Sequence, residues 1–336
     1  MNLRKASVNV VKFVFVIAFL YFLAKRGLLS WDATRQAFSR TDKILPAFGL
    51  LAVNLLLGVV RWQWLLYGHG IRQSWRQTFQ LSLIGNFFNI ALPGAVTGDL
   101  VKAYYLGQKT PGKESGGQRS KAFGSILFDR VAGLSGLVLV CAGATIYGMR
   151  ELIGTPLLQA IQGSVVFAAI AVFVFYGYLF VVKERHDPLL KFLKTVESRI
   201  PRLGLFARIY EGLRHYHNHR RVVVQVVLLS VVIHLMTGLS CLYLAQALGE
   251  NSLPLLSIYI LVPLGLLVTA VPVAPAGVGT GHAAFAYLFS LVGVQRGADI
   301  YTLFAVANLI FGGIGGIVYL QFKAHHEPMP SGKIPT

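Results

Sequence analysis

The sequence predicts an all-α polytopic integral membrane protein of about seven to eight transmembrane helices, with two re-entrant or broken segments. Three observations carry that expectation. Of 336 residues, 55% are hydrophobic and only 13% charged, and the mean hydropathy is +0.61, which excludes an ordinary soluble globule. Apolar runs of roughly 20 residues, the length a helix needs to cross the hydrocarbon, recur along the chain. Two of these runs are interrupted by Gly and Pro: 92–99 contains Pro93, Gly94 and Gly98, and 273–282 contains Pro275, Gly277 and Gly279. Lipid offers a broken backbone no hydrogen-bond partner, so such stretches survive only inside protein or beside a wet cavity. Their occurrence in corresponding parts of two halves is a pointer to a binding site.

In chain order, spans are expected near 7–23, 44–67, 122–149, 160–182, 222–248, 254–272 and 299–321. The first is preceded by Arg4 and Lys5 but has no small-x-small site before Lys25 and Arg26, so it reads as a retained anchor. Segments 77–91 and 281–293, which flank the two breaks, are too short to count as spans. Pro93, Gly94 and Gly98 would disrupt a lipid-facing helix, so 77–101 is expected to dip in and return. The domain organisation is a single transmembrane domain, 1–323, with a short polar tail, 324–336. Its halves, about 1–182 and 222–323, are joined by a basic segment, 183–221. In that segment Leu189, Leu190, Phe192, Leu193 and Val196 recur at helical spacing around Lys191 and Lys194. Leu203, Leu205, Phe206, Ile209 and Leu213 do the same around Arg202, Arg208 and Arg214. Both stretches read as amphipathic helices in the membrane interface, or as a solvated basic linker.

The formal charge is +18, but Lys and Arg sit in the gaps between apolar runs. Such charges meet anionic headgroups at the cytoplasmic face rather than nucleic acid. Segment 183–221 has ten basic residues and 102–121 has five, whereas 150–159 and 249–253 share only Arg150. Both basic loops are therefore expected in the cytoplasm of a multi-pass cell (inner) membrane protein, with the C-terminus there too. A re-entrant 77–101 puts the N-terminus on the same side. Cys141 and Cys241 fall inside spans and show no disulfide or metal-ligand spacing, so neither metal nor cofactor is expected.

Three constellations carry chemistry. In the first, Asn86 and Asn89 are three residues apart and share a helix face, as do Asp99 and Lys102. They read either as a polar floor for a lipid headgroup or as a helix cap followed by the start of a cytoplasmic loop. The second is the adjacent pair Asp129 and Arg130, inside an apolar helix where ionisable groups are costly. Neighbouring residues point about 100° apart on a helix, so each needs another partner: Lys102 or Arg61 for Asp129, Asp99 or a phosphate for Arg130. An Arg fork suits phosphate; snorkelling to the interface is the other reading of Arg130. The third is the Gly-rich turn before His282, which places backbone donors at a helix N-terminus. His282 itself is a cap, a headgroup ligand or a proton carrier. Arg61, Trp62 and Trp64 read as an interfacial anchor, with Arg61 alternatively facing a cavity. The run Gly312, Gly313, Gly315 and Gly316 reads as a close helix contact; His234 and Asn308 are isolated polar residues within spans. No P-loop, nucleotide-binding glycine pattern, HExxH or nucleophile elbow occurs, which argues against ATP-driven pumping.

At these residues the chain resembles the lysylphosphatidylglycerol synthase transmembrane-region family, the flippase-like membrane part of the multiple peptide resistance factor. The carrying residues are Arg61 and Trp62; Leu92, Pro93 and Gly94; Gly98 through Lys102; Phe128, Asp129 and Arg130; and Pro275, Gly277 and Gly279. The family usually has Gly where Thr97 stands, Arg where Lys102 stands and Glu where His282 stands. The resemblance implies about eight spans with re-entrant pieces and movement of a lipid between leaflets. The family's aminoacyl-transfer domain has no counterpart here, so the chain is expected not to be the synthase. The leading expectation is a lipid translocase acting on a phospholipid, an aminoacyl-phospholipid or a polyprenyl-phosphate-linked lipid. The alternatives are a membrane enzyme or subunit modifying a lipid or lipid-linked sugar, and a scaffold docking a cytoplasmic partner at 183–221. The first would use Asp99, Lys102, Asp129, Arg130, Asn86, Asn89, His282 and Arg61 around an anionic headgroup.

Overall fold

A computed structural model describes residues 31–91, 97–107, 114–148, 156–183, 187–199, 210–269, 277 and 279–325. The expected span 7–23, the break residues Pro93, Gly94 and Pro275, and Leu203 through Ile209 lie outside these residues, as does nearly all of the tail. The described elements are α1 (Trp31–Ser39), α2 (Thr41–Gly68), α3 (Trp75–Ala91), α4 (Thr97–Gly107), α5 (Glu114–Gly148), α6 (Pro156–Val181), α7 (Pro188–Arg199), α8 (Arg220–Ala247), α9 (Leu255–Thr269), α10 (Thr280–Ser290) and α11 (Gly297–His325). Among the described residues, α2, α5, α6, α8 and α11 are long and apolar enough to cross a membrane. This is an all-α polytopic membrane protein.

Sequence explains the ends of these helices. Helix α2 stops at Gly68, where the His69 N–H still reaches the Leu65 and Leu66 carbonyls and Gly70 turns the chain at φ +73°, a conformation favoured by glycine. Helix α4 opens with Asp99 in its first turn, where the helix dipole favours a carboxylate. Helix α7 is the predicted amphipathic stretch. Asp187 caps it through the Leu189 and Leu190 N–H groups, Leu190 is buried, and Phe192 is exposed.

Two four-helix units have the same order and opposite sense. In the first, α2 is followed by the short antiparallel pair α3 and α4, then by α5. In the second, α8 is followed by the short pair α9 and α10, then by α11. The long helices α2 and α8 run antiparallel: Arg61 bonds Ser230, Asn54 bonds Thr237, and Ser240 bonds the Ala47 carbonyl. The packing between units follows the same scheme, with α3 on α11 and α9 on α5. Helix α6 lies outside it, against α5.

Each short pair is a hairpin that turns back inside the bundle. In α3–α4 the contacts descend from Asn89 against Gly98, through Gly85 against Lys102, to Leu81 and Leu106 in one apolar cluster. The chain therefore leaves this hairpin at the end where it entered, beside Gly68, Ala122 and Arg220. A Cβ on Gly98 would overlap the Gly85 carbonyl, so glycine is what lets the two arms touch. The second hairpin enters from the opposite end. Phe285 of α10 folds over Gly265 of α9, and Gly297, at the start of α11, sits against the Phe285 carbonyl. This corrects the expectation of a full span at 254–272: α9 has 15 residues, about 22 Å at 1.5 Å per residue, and α10 returns beside it.

The run from Gly312 to Gly316 does form a close contact. A Cβ on Gly315 would overlap the Leu83 carbonyl, and Gly312 and Gly316 face Ile90 and Phe87 of α3. At the basic end a polar network joins α6 to residues 210–219. Asp187 accepts from Tyr178 (2.8 Å) and Tyr210 (2.7 Å), pairs with Arg214 (3.0 Å), and is fully buried. Burial alone would raise its carboxyl pKa; the Tyr210, Leu190 and Tyr178 donors and the Arg214 charge outweigh this and hold it below the ordinary value. His69 is buried there, its ring stacked on His215 at 4.4 Å and edge-on to Tyr216. Burial, then the charges of His215, Lys121 and His219, push its pKa down to about 3.

Candidate functional site: a polar cavity beside the first hairpin

The 100° offset between Asp129 and Arg130 sends their side chains to different helices. Asp129 meets α2: Arg61 Nε donates to its Oδ1 at 2.7 Å and Arg61 Nη2 to its Oδ2 at 3.1 Å, while Arg61 Nη1 donates to Ser230 Oγ at 3.0 Å. The fork is thus held bidentate and anchored by a third donor, the geometry that makes Arg–carboxylate pairs specific. Arg130 meets α4, donating from Nε to Asp99 Oδ2 at 2.8 Å. Lys102 Nζ lies 3.3 Å from the other Asp99 oxygen, an ion-pair contact rather than an aligned hydrogen bond, and 5.0 Å over the Trp62 ring. Two carboxylates and three cations thus form two neighbouring ion-pair groups, Arg61 with Asp129 and Asp99 with Arg130 and Lys102, carried by α2, α4 and α5.

Beside it is a cavity of about 280 Å³. Helix α2 supplies Asn54, Gly58, Arg61 and Trp62, and α3 supplies Ser82, Asn86 and Asn89. Lys102, Asp129 and Thr237 reach in from α4, α5 and α8, and Phe304, Asn308 and Phe311 from α11. Its position follows from where the two units depart from symmetry. Helices α5 and α8 pack tightly, with Gly136 against the Ser230 backbone. The corresponding helices of the other pairing, α11 and α2, barely touch, and the cavity lies in that gap.

Five of the eight predicted headgroup residues line this space: Arg61, Asn86, Asn89, Lys102 and Asp129. Asp99, 2% exposed, and Arg130, 52% exposed, stand behind Lys102 rather than in the cavity wall. Asn89 Oδ1 accepts the Gly98 N–H at 2.9 Å, tying the polar face of α3 to the first turn of α4. His282 lies apart from the cavity. Its Nδ1 faces the Gly279 N–H at 3.4 Å, and its ring stands edge-on to Tyr301 at 4.8 Å. Gly277 and Gly279 hold φ of +67° and +86° before α10, and Gly277 fits between Thr269 and Tyr301. The interfacial-anchor reading of Arg61 and Trp62 gives way: Trp62 is 2% exposed and donates to Ser125, and Arg61 faces the cavity.

Sequence reasoning missed Asn54, Ser82 and Thr237 and gave Asn308 no partner. The available signal was an amide in the middle of the apolar run 44–67. Helical spacing places Asn54 seven residues, two turns, before Arg61 on the same face. Among the described residues there is no group of three or more His, Cys, Asp or Glu placed to hold a metal ion.

Long apolar helices, two opposed re-entrant hairpins and a polar cavity between the units define a polytopic membrane protein with a charged site among its helices. More particularly, the chain belongs to the lysylphosphatidylglycerol synthase TM region family, whose family model matches residues 9–316. It is similar to a UPF0104 membrane protein of Pyrococcus horikoshii, 23% identical over 290 residues, which cover 80% of this chain and 84% of the relative. No solved structure matches it.

Proposed function

We propose that this protein carries a lipid headgroup between the leaflets of the cell membrane without nucleotide hydrolysis. The observation that carries this reading is the polar cavity between α2 and α11, where a headgroup finds Arg61, Lys102 and amides while its acyl chains stay in lipid. The inverted order of the two units supports alternation. The α2–α11 seam is loose and the corresponding α8–α5 seam is closed. Exchanging those roles would move the opening from one pairing to the other around fixed charges, as in transporters built from inverted repeats. Arg61 and Lys102 would meet the phosphate, Asp129 and Asp99 would hold the two cations in place, and Arg130 would neutralise Asp99. The basic end, with 183–221, faces the cytoplasm in this reading.

The test is reconstitution into liposomes containing trace acyl-labelled lipids, followed by a membrane-impermeant quencher. In empty vesicles about half of the label, the inner leaflet, stays protected. Loss of that protected half in protein-containing vesicles is the expected outcome. Protection equal to that of empty vesicles across several lipid classes would refute the proposal.

A further inference from the structure

We propose that the headgroup this cavity accepts is a hydroxyl-rich phosphodiester, a polyol or sugar phosphate, rather than a cationic amino headgroup. This rests on the translocase reading and names the substrate class of the same site. Three observations support it.

The carboxylates are committed. Both oxygens of Asp129 accept from Arg61, and Asp99 lies between Arg130 and Lys102. A cationic headgroup would find a carboxylate only by displacing a partly buried guanidinium or ammonium, and leaving such a charge unpaired is strongly unfavourable. The five charges leave one net positive charge, which complements a singly charged phosphodiester.

The rest of the polar lining is neutral and two-sided: Asn54, Asn86, Asn89, Asn308, Ser82 and Thr237. Amides and hydroxyls both donate and accept, as sugar and polyol hydroxyls do. A quaternary ammonium does neither.

Asn54 is the specific pointer. Its Nδ2 donates to Thr237 Oγ1 at 3.0 Å, and Thr237 in turn donates to the Ile233 carbonyl at 2.8 Å, which fixes the amide's orientation. Its Oδ1 is then a buried acceptor with no hydrogen-bond partner. Such an atom gains from a ligand that brings a donor, and a hydroxyl supplies one without needing a free carboxylate beside it, as an ammonium would. At about 30 Å³ per water, the 280 Å³ cavity corresponds to about nine waters, room for a glycerol- or inositol-sized head.

The experiment uses the full chain in two measurements. Liposomes receive acyl-labelled phosphatidylinositol, phosphatidylglycerol, phosphatidylcholine, phosphatidylethanolamine or lysyl-phosphatidylglycerol, and quenching reports exchange. The first two should exchange about tenfold faster than the others, the scale of one satisfied buried hydrogen bond. Asn54→Leu should remove most of that preference, bringing the rates of the two polyol lipids down toward those of the other three. Equal rates for all lipids, or a fastest rate for the lysyl lipid, would overturn the inference while leaving translocation standing. Native mass spectrometry of the detergent-purified protein with an equimolar mixture of the five lipids gives a readout independent of transport. Preferential retention of the two polyol lipids supports the headgroup class even if no lipid is translocated, and retention without preference overturns it.

Discussion

Asp129→Asn is the most informative perturbation, because Asp129 and Arg61 are held by geometry that can be taken apart one partner at a time. Their side chains are 16% and 13% exposed, and two of the three described Arg61 donors end on Asp129. Removing the carboxylate charge leaves Arg61 with Ser230 and a weakened amide contact, in surroundings walled by Trp62, Val59 and Leu55. Breaking a buried ion pair from one side costs about 3–5 kcal/mol, whereas replacing both partners by apolar groups of similar volume is often close to neutral. The pair here is partly wetted by the cavity, so the lower end, about 3 kcal/mol for Asp129→Asn, is expected. The double variant Arg61→Met, Asp129→Leu should recover most of that loss. Stability is read by denaturant titration in detergent micelles and exchange by the liposome assay. The double variant should melt near the parent yet exchange lipid much more slowly, because it folds with Lys102 as the one remaining cavity cation for the phosphate. Two results would refute this reasoning: wild-type stability for Asp129→Asn alone, or full exchange by the double variant.

Gly98→Ala should cost about 1–3 kcal/mol through overlap with the Gly85 carbonyl; Gly143→Ala, which has open space around it, should be neutral or slightly stabilising, and equal melting of the two in micelles would contradict the hairpin contact. Joining α2 to α11 with a short thiol-specific linker between Leu55→Cys and Phe311→Cys, two residues that line the cavity, should stop exchange, and reversing the link should restore it; unaltered exchange when linked would rule out movement at that seam. Acid should loosen the basic end. His69, held near a pKa of about 3 against 6.5 for a free imidazole, refuses a proton that the unfolded chain takes up. Its contribution is therefore complete above about pH 6.5 and falls as pH drops toward 3, by about 2 kcal/mol between pH 6.5 and 5. His69→Asn should flatten the melting temperature over that range, and an unchanged slope would show that another group titrates.

Periodicity and composition were enough to place α2, α5, α6, α8 and α11, because a helix in lipid must be long, apolar and internally hydrogen-bonded wherever it packs. The breaks were legible because several Pro and Gly fall close together there, whereas a single Pro such as Pro46 is carried inside α2. Local spacing also paired Asp99 with Lys102, and restricted Asp129 and Arg130 to partners on different helices. Which protein partners these were, Arg61 rather than Lys102 for Asp129 and Asp99 for Arg130, depended on how α2 and α4 lie against α5. Those contacts span 68 and 31 residues of sequence, beyond any helical repeat. Tertiary packing likewise turned α9 from a span into half of a hairpin and left His282 against Tyr301. It also opened the cavity at the loose α2–α11 seam, because a void exists only where two surfaces fail to meet, and no single stretch of chain contains both.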